Sequence, residues 1–149
     1  MLGYWNNKKA TDNTIDKDGF LHTGDIGMVD EEGYYYIVDR LKELIKYKGF
    51  QVAPAELEAL LVTHPSVADA AVIGVPNEEA GELPKAYVVL KEGQKDVTHD
   101  VIAKWLESKV TNSKRLRGGV EFIDVIPKSA SGKILRRVLK DMSLMKAKL

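Results

Sequence analysis

The sequence of 149 residues contains no cysteine, which excludes disulfide bonds, thiolate metal sites and a thiol nucleophile. Its histidines, His22, His64 and His99, are scattered without the spacing of a metal-binding motif. We therefore expect no metal site in the chain. No apolar run approaches the length of a membrane span, and the N-terminus lacks the layout of a secretion signal. These absences lead us to expect a soluble intracellular protein.

The chain also lacks an excess of either charge, because 22 basic and 22 acidic side chains cancel. A dedicated nucleic-acid binder would carry a strong positive field, so we expect no nucleic-acid partner. The basic run at residues 114–119 is interpreted as a turn after a helix, where cations are favoured. Hydrophobic residues make up 44% of the sequence, which suits one globular domain, or a domain with a short appendage.

The first third of the chain is rich in turn-forming residues and offers little apolar periodicity. One pairing signal stands out there, because residues 26–29 and 34–38 alternate around a turn that ends at Gly33. This pattern predicts a β-hairpin at the edge of a larger structure.

From residue 43 onward the pattern of strands and helices alternates. A two-stranded ribbon is predicted around the turn at residues 47–49. Helices are predicted from Pro54, after Thr98 and from Ile134. Strands are predicted at residues 67–75, 86–90 and 120–126, with a loop at residues 77–84. We expect an α+β fold: a small mixed or antiparallel sheet with about three helices, preceded by the ribbon and the N-terminal hairpin.

Two groups of polar residues in the first third could carry chemistry. Asp25 follows Gly24, so its carboxylate can offer two acceptor oxygens to a vicinal diol such as a ribose. The alternative is an aspartate that ends a turn. Arg40 and Lys42 flank the change in composition and could hold a phosphate across a hinge. The alternative for both is an ordinary solvated charge.

A loop of small polar residues, 128–133, ends in Lys133. A long flexible cation beside glycine can neutralise charge that develops during phosphoryl or acyl-phosphate chemistry. The loop is not a Walker motif, because Pro127 stands at the position of the first glycine and Ile134 at the position of the magnesium-binding hydroxyl. The alternative is a solvated linker.

In order and spacing, these segments together resemble the adenylate-forming enzyme superfamily, which contains acyl-CoA synthetases, 4-coumarate-CoA ligases and beetle luciferases. The segments are Gly3 and Tyr4 with Asn6 and Asn7, then residues 19–25, 39–52, 54–58 and 127–134. The resemblance covers essentially the whole chain. It implies that a large N-terminal domain, with its phosphate-binding loop, is missing here. Residues 1–39 then resemble the end of that domain plus a linker, 40–42 a hinge, and 43–149 the C-terminal lid.

The resemblance also implies roles for individual residues. Lys133 matches the catalytic lysine of adenylate formation, and Lys42 matches the hinge position. Nucleotide-binding roles fall on Asp25, Arg40, Lys46, Gln51 and Lys133, a catalytic role also on Lys46, and CoA-binding roles on Lys48 and Gly49. The implied substrates are ATP with Mg²⁺, held mainly by the missing domain, and CoA.

The implied reaction forms an acyl-adenylate from a carboxylate and then an acyl-CoA thioester, with release of AMP. The fragment is expected to be nearly inactive without its N-terminal domain. The same lid in a luciferase is a second interpretation, because the missing domain holds the luciferin. A non-catalytic binding module is a third, although such a module would have no physical need for Asp25, Arg40 and Lys133 together.

The last three residues, Ala147, Lys148 and Leu149, resemble the tripeptide that is read by the peroxisomal import receptor. This predicts a peroxisomal location, and otherwise a cytoplasmic one. The expected partners are the chain's own N-terminal domain, a small carboxylate and the import receptor.

Overall fold

The computed structural model describes residues 1–94 and 96–146. The chain divides into two compact units, Met1–Lys42 and Glu43–Leu149. The C-terminal tripeptide that predicts peroxisomal import lies outside the described residues, so the peroxisomal location stays a prediction. Within the described ranges, no helix has both the length and the apolar character needed to cross a membrane.

The first unit consists of a short helix and the predicted hairpin. The helix α1, Lys8–Thr14, was not predicted; it is stabilised locally, because the Asn7 side chain accepts a hydrogen bond from the amide of Ala10 at 3.0 Å. Strands β1, Asp25–Val29, and β2, Tyr35–Arg40, pair antiparallel and confirm the hairpin.

This first unit has almost no core of its own. Asp39 is its one residue classed as buried, and all of residues 1–42 are described. The hairpin and the preceding loop instead expose large apolar side chains: Phe20, Met28, Tyr34, Tyr35 and Ile37. The first unit therefore leaves most of its large apolar side chains exposed.

The second unit contains a five-stranded sheet. Its strands are β3 Ile45–Tyr47, β4 Phe50–Val52, β5 Val67–Asn77, β6 Gly81–Leu90 and β7 Val120–Phe122. The order is β4-β3-β6-β5, and β7 pairs parallel with β6. Because β5 occupies one edge of β6 along its whole length, β3 and β7 share the other edge. The sheet is therefore mixed, and the predicted α+β class is confirmed.

Helices cover both faces of this sheet. They are α2 Pro54–Leu61, α3 His99–Glu107 and α4 Arg136–Lys146, with a short 3₁₀ turn at Asn112–Lys114. Successive residues of β5 and β6 alternate between two apolar clusters, as strand geometry requires. Val72 and Ala86 join the cluster of α2 and α3 on one face. Ile73 and Tyr87 join that of Leu139 in α4 on the other.

The predicted loop at residues 77–84 was wrong, because β5 and β6 form one long hairpin that continues through Pro84. The amide nitrogen and the carbonyl of one strand residue face the same edge of the strand. The carbonyl of Pro84 accepts a hydrogen bond from Gly118 at 2.8 Å. Its nitrogen therefore faces the edge of β6 opposite β5, at a position before the first residue that pairs with β7, so no ladder bond to β5 is lost.

Candidate functional site

The first candidate group lies at the open end of the β1–β2 hairpin. Asp25 and Arg40 are register partners, and the Arg40 Nε lies 3.4 Å from Asp25 Oδ1. The Leu41 amide donates to the Gly24 carbonyl at 2.9 Å, which closes the pair of strands at this end. The Arg40 side chain is 62% exposed and that of Asp25 27%. The structure thus brings together the two predicted nucleotide-binding residues of the first unit, with Asp25 partly accessible to a ligand.

The second candidate group is the β3–β4 ribbon. Lys46 and Gln51 are register partners, and both are exposed. Because partners across an antiparallel pair share a face, the two side chains project from the same surface. The buried pair Ile45 and Val52 fixes the other face in the core. The ribbon therefore presents a cation and an amide side by side.

The ribbon turns at Lys48 and Gly49, which both have positive φ, 46° and 82°. Two such central residues are characteristic of a type I′ hairpin turn. The Lys48 amide donates to the Ala80 carbonyl at 2.8 Å, and the Lys46 amide donates to the Glu82 carboxylate at 2.9 Å. The turn is thereby held against the start of β6.

The third candidate group is the loop that carries Lys133. Lys128 and Ile134 form an isolated antiparallel bridge at its base. Ser129 braces the loop, because its amide donates to the Lys133 carbonyl at 2.8 Å and its hydroxyl accepts from the Lys133 amide at 3.2 Å. Gly132 completes the turn with φ of +80°. The Lys133 side chain is exposed and has no acidic partner within residues 1–94 and 96–146.

Ion pairs at the ends of this loop were missed from the sequence. Lys128 pairs with Asp69 on β5. Arg136, at the start of α4, pairs with Glu58 and with Glu43. Glu58 lies between the core residues Leu57 and Leu61 of α2. An acidic residue beside the apolar stripe of a helix is the one sequence signal that indicates a buried partner here.

The ribbon turn and the base of the Lys133 loop lie near opposite ends of β6. Tyr47 pairs with Gly81 at one end, and Asp69 pairs with Val89 near the other. Eight strand residues separate these positions, or roughly 26 Å at 3.3 Å per residue. One small domain thus carries two separate groups of polar side chains.

Lys42, the predicted hinge residue, is exposed and is the last residue of the first unit. In the described part of the chain, no group of three or more His, Cys, Asp or Glu side chains could hold a metal ion.

Comparison with known proteins identifies relatives over nearly the whole chain. The family described as AMP-binding enzyme C-terminal domain matches residues 56–133. The probable 4-coumarate-CoA ligase 1 of Dictyostelium discoideum is 59% identical over 143 residues, 96% of this chain and 26% of that protein. Luciferin 4-monooxygenase of Luciola mingrelica is 56% identical over 142 residues, 95% of this chain and 26% of that protein.

A solved structure is also similar to nearly the whole chain. The ATP-bound MatB of Rhodopseudomonas palustris matches with a TM-score of 0.87 and 34% identity, over 94% of this chain and 27% of that one. The chain thus spans about a quarter of the length of each of these three proteins.

Proposed function

Because this chain belongs to the family of AMP-binding enzyme C-terminal domains, we propose that it is the mobile C-terminal domain of an ATP-dependent carboxylate-CoA ligase. In the first half-reaction a carboxylate oxygen attacks the α-phosphorus of ATP, and pyrophosphate leaves. In the second, the CoA thiol loses its proton and attacks the acyl carbon, and AMP leaves. An N-terminal domain would bind most of the ATP and the acid.

Lys133 would serve the first half-reaction. Negative charge accumulates around the α-phosphate as the carboxylate approaches, and a fixed cation lowers the energy of that state. The braced loop at residues 128–134 can deliver such a cation, because the Lys133 backbone is held by Ser129 while its ammonium has no acidic partner in the described residues. This unpaired cation on a fixed turn is the observation that carries the proposal.

The β3–β4 ribbon would serve the second half-reaction. Lys46 and Gln51 share an exposed face and would contact the adenylate, while Lys48 and Gly49 would line the path of the CoA pantetheine. The ribbon turn lies near the opposite end of β6 from the Lys133 loop. A rotation at residues 40–42 is therefore needed to present first one group and then the other.

A chimera tests the role of Lys133. In this chimera the chain replaces the matching quarter of the Dictyostelium discoideum ligase, to which it is 59% identical. Adenylate formation is measured as pyrophosphate release with 4-coumarate and ATP, and thioester formation is measured from supplied coumaroyl-adenylate and CoA. We expect Lys133→Ala to slow adenylate formation about a hundredfold or more, as loss of a transition-state donor does. Thioester formation should change less than threefold.

The matched control is Lys104→Ala, since Lys104 is an exposed lysine of α3. It should leave both half-reactions unchanged. If Lys133→Ala slows adenylate formation and thioester formation equally, Lys133 does not serve the first half-reaction alone. Two unaffected half-reactions would instead favour a non-catalytic binding module.

A luciferase is a second candidate, because the identity to Luciferin 4-monooxygenase, 56%, is close to the identity to the ligase. In that case the same domain would support formation of a luciferyl-adenylate, which then reacts with molecular oxygen in place of the thiol. Fusing the chain to the N-terminal part of the Luciola mingrelica protein tests this. Light emission from luciferin and ATP that depends on Lys133 would support it, while a dark but adenylating fusion would favour the ligase.

A further inference from the structure

Arg136 connects the Lys133 loop to α2, to the sheet and to the first residue of the second unit. It is the first residue of α4, three residues after Lys133, and its side chain is only 16% exposed. Its Nη2 donates to both oxygens of Glu58 at 2.9 and 2.8 Å. Its Nη1 lies 2.9 Å from Glu43 Oε2. The planar guanidinium can bridge two carboxylates in this way, and a lysine ammonium cannot reproduce that fork.

Glu58 extends the contact into the sheet. Its side chain is 13% exposed, and its Oε1 also accepts a hydrogen bond from the amide of Val72 on β5 at 2.8 Å. A partly buried carboxylate with two kinds of donor holds its position more firmly than an exposed ion pair. Arg136 is therefore anchored to α2 and, through Glu58, to the central sheet.

Glu43 extends the contact toward the hinge. It is the first residue of the second unit, directly after Lys42. A torsional change at residues 40–42 would be transmitted to the second unit through Glu43. Arg136 ties this entry point to the start of α4, and hence to the loop that presents Lys133.

We propose that Arg136 and Glu43 are positioning residues that fix the Lys133 loop relative to the end of the hinge. The inference rests on the proposed role of Lys133 and deepens it. A catalytic cation must reach the reacting phosphate with sub-ångström accuracy, and a misplacement of about 1 Å can cost roughly a hundredfold in rate. The Arg136–Glu43 pair would hold the Lys133 ammonium at a fixed position relative to the end of the hinge, residues 40–42.

The test uses Glu43→Ala in the chimera. Glu43 is the more exposed of the two carboxylates, at 35%. Its removal leaves in place the pairing of Arg136 with Glu58 and the hydrogen bond from the Val72 amide to Glu58. We expect kcat for adenylate formation to fall roughly tenfold to a hundredfold. The KM for ATP should stay within twofold, because neither residue is placed at the nucleotide. Thioester formation from supplied adenylate should also stay within twofold.

Two further variants make the result decisive. Glu56→Ala removes another half-exposed carboxylate, which pairs with Lys114 away from the loop, and should alter neither rate. If it matches Glu43→Ala, or if Glu43→Ala slows both half-reactions equally, the positioning role is wrong. If Lys133→Ala blocks adenylate formation while Glu43→Ala does not, only this inference fails. If Lys133→Ala has no effect, the proposed function fails and this inference with it.

Discussion

Asp25 and Arg40 face each other across the open end of the β1–β2 hairpin, with Arg40 Nε 3.4 Å from Asp25 Oδ1. A separation of this size is longer than a good charge-assisted hydrogen bond, so the carboxylate keeps acceptor capacity for another ligand. The pair is partly exposed and contributes little to stability as an ion pair. Its geometry suits a site where the carboxylate accepts from a ribose diol while the cation lies beside it.

Asp25→Asn should therefore weaken nucleotide binding without unfolding the hairpin. In the chimera, we expect the KM for ATP to rise about tenfold, since a hydrogen bond to a charged group contributes about 1.5–3 kcal/mol. The matched variant is Asp12→Asn, which removes the carboxylate that pairs with Lys8 in α1. An equal KM for ATP in the two variants would show that Asp25 does not contact the nucleotide.

Lys48→Asn should separate stability from activity. Lys48 holds a positive φ of 46°, which costs a residue with a long side chain about 1 kcal/mol. Asparagine before glycine is the preferred pair for a type I′ turn, so urea unfolding should show a gain of about 0.5–1 kcal/mol. Thioester formation should nevertheless slow, because the proposed CoA-lining lysine is lost. A stabilised variant with unchanged thioester formation would remove Lys48 from the site.

His64 should make the stability of the second unit depend on pH. Its side chain is buried, its Nδ1 accepts from the Ser66 amide at 3.1 Å, and its ring contacts Trp105 edge-on. Burial, aided by the charge of Lys91, lowers the pKa of His64 below 6.5. The unfolded chain therefore binds more protons than the folded chain as pH falls below 6.5. The stabilisation is fully present above that value and decreases as pH falls toward the folded pKa.

Thermal unfolding of the chain between pH 7.5 and 5 checks this. His64→Asn should flatten the pH dependence, because asparagine can accept from the Ser66 amide but does not titrate in this range. His99→Asn is the matched control, since His99 also packs against an aromatic ring, that of Phe122, and it should retain the dependence. If the unfolding temperature of His64→Asn changes with pH as steeply as that of the parent chain, another group causes the pH dependence.

The second unit should fold without the first. Its two apolar clusters lie on both faces of one sheet, whereas Asp39 is the one buried residue of the first unit. Chains of about 40 residues rarely fold alone. In hydrogen exchange on the whole chain, we expect slow exchange in β5 and β6 and fast exchange in β1 and β2. Equal protection in both regions would contradict this difference in stability.

The sequence predicted those parts of the fold that depend on local pattern. Alternation around Gly33 and Gly49 indicated the hairpin and the ribbon, and apolar spacing indicated α2, α3 and α4. The exact start of α4 and the short length of β7 were missed, because both depend on where tertiary pairing stops. Pro84 was read as a loop residue, since sequence alone does not show which edge of a strand its nitrogen faces.

The candidate site was predictable only in part, for the same physical reason. Lys133 and Asp25 stand in short segments whose residue types suggest their chemistry. Arg136 and Glu58 are 78 positions apart, and nothing in their local sequences says that the fold brings them together. Long-range ion pairs of this kind are set by the packing of α2 and α4 against β5.

The central claim is that one domain serves two half-reactions by pivoting at Lys42, and the ratio of the two rates in Lys42→Pro tests it most directly. Proline restricts φ to about −65°, so it should favour one working state. In the chimera, Lys42→Pro should change the ratio of adenylate formation to thioester formation about tenfold, equivalent to a bias of roughly 1.4 kcal/mol between the states. Lys42→Ala, which removes only the charge, should leave the ratio within twofold. The same ratio in the parent chimera, the alanine variant and the proline variant would contradict the pivot.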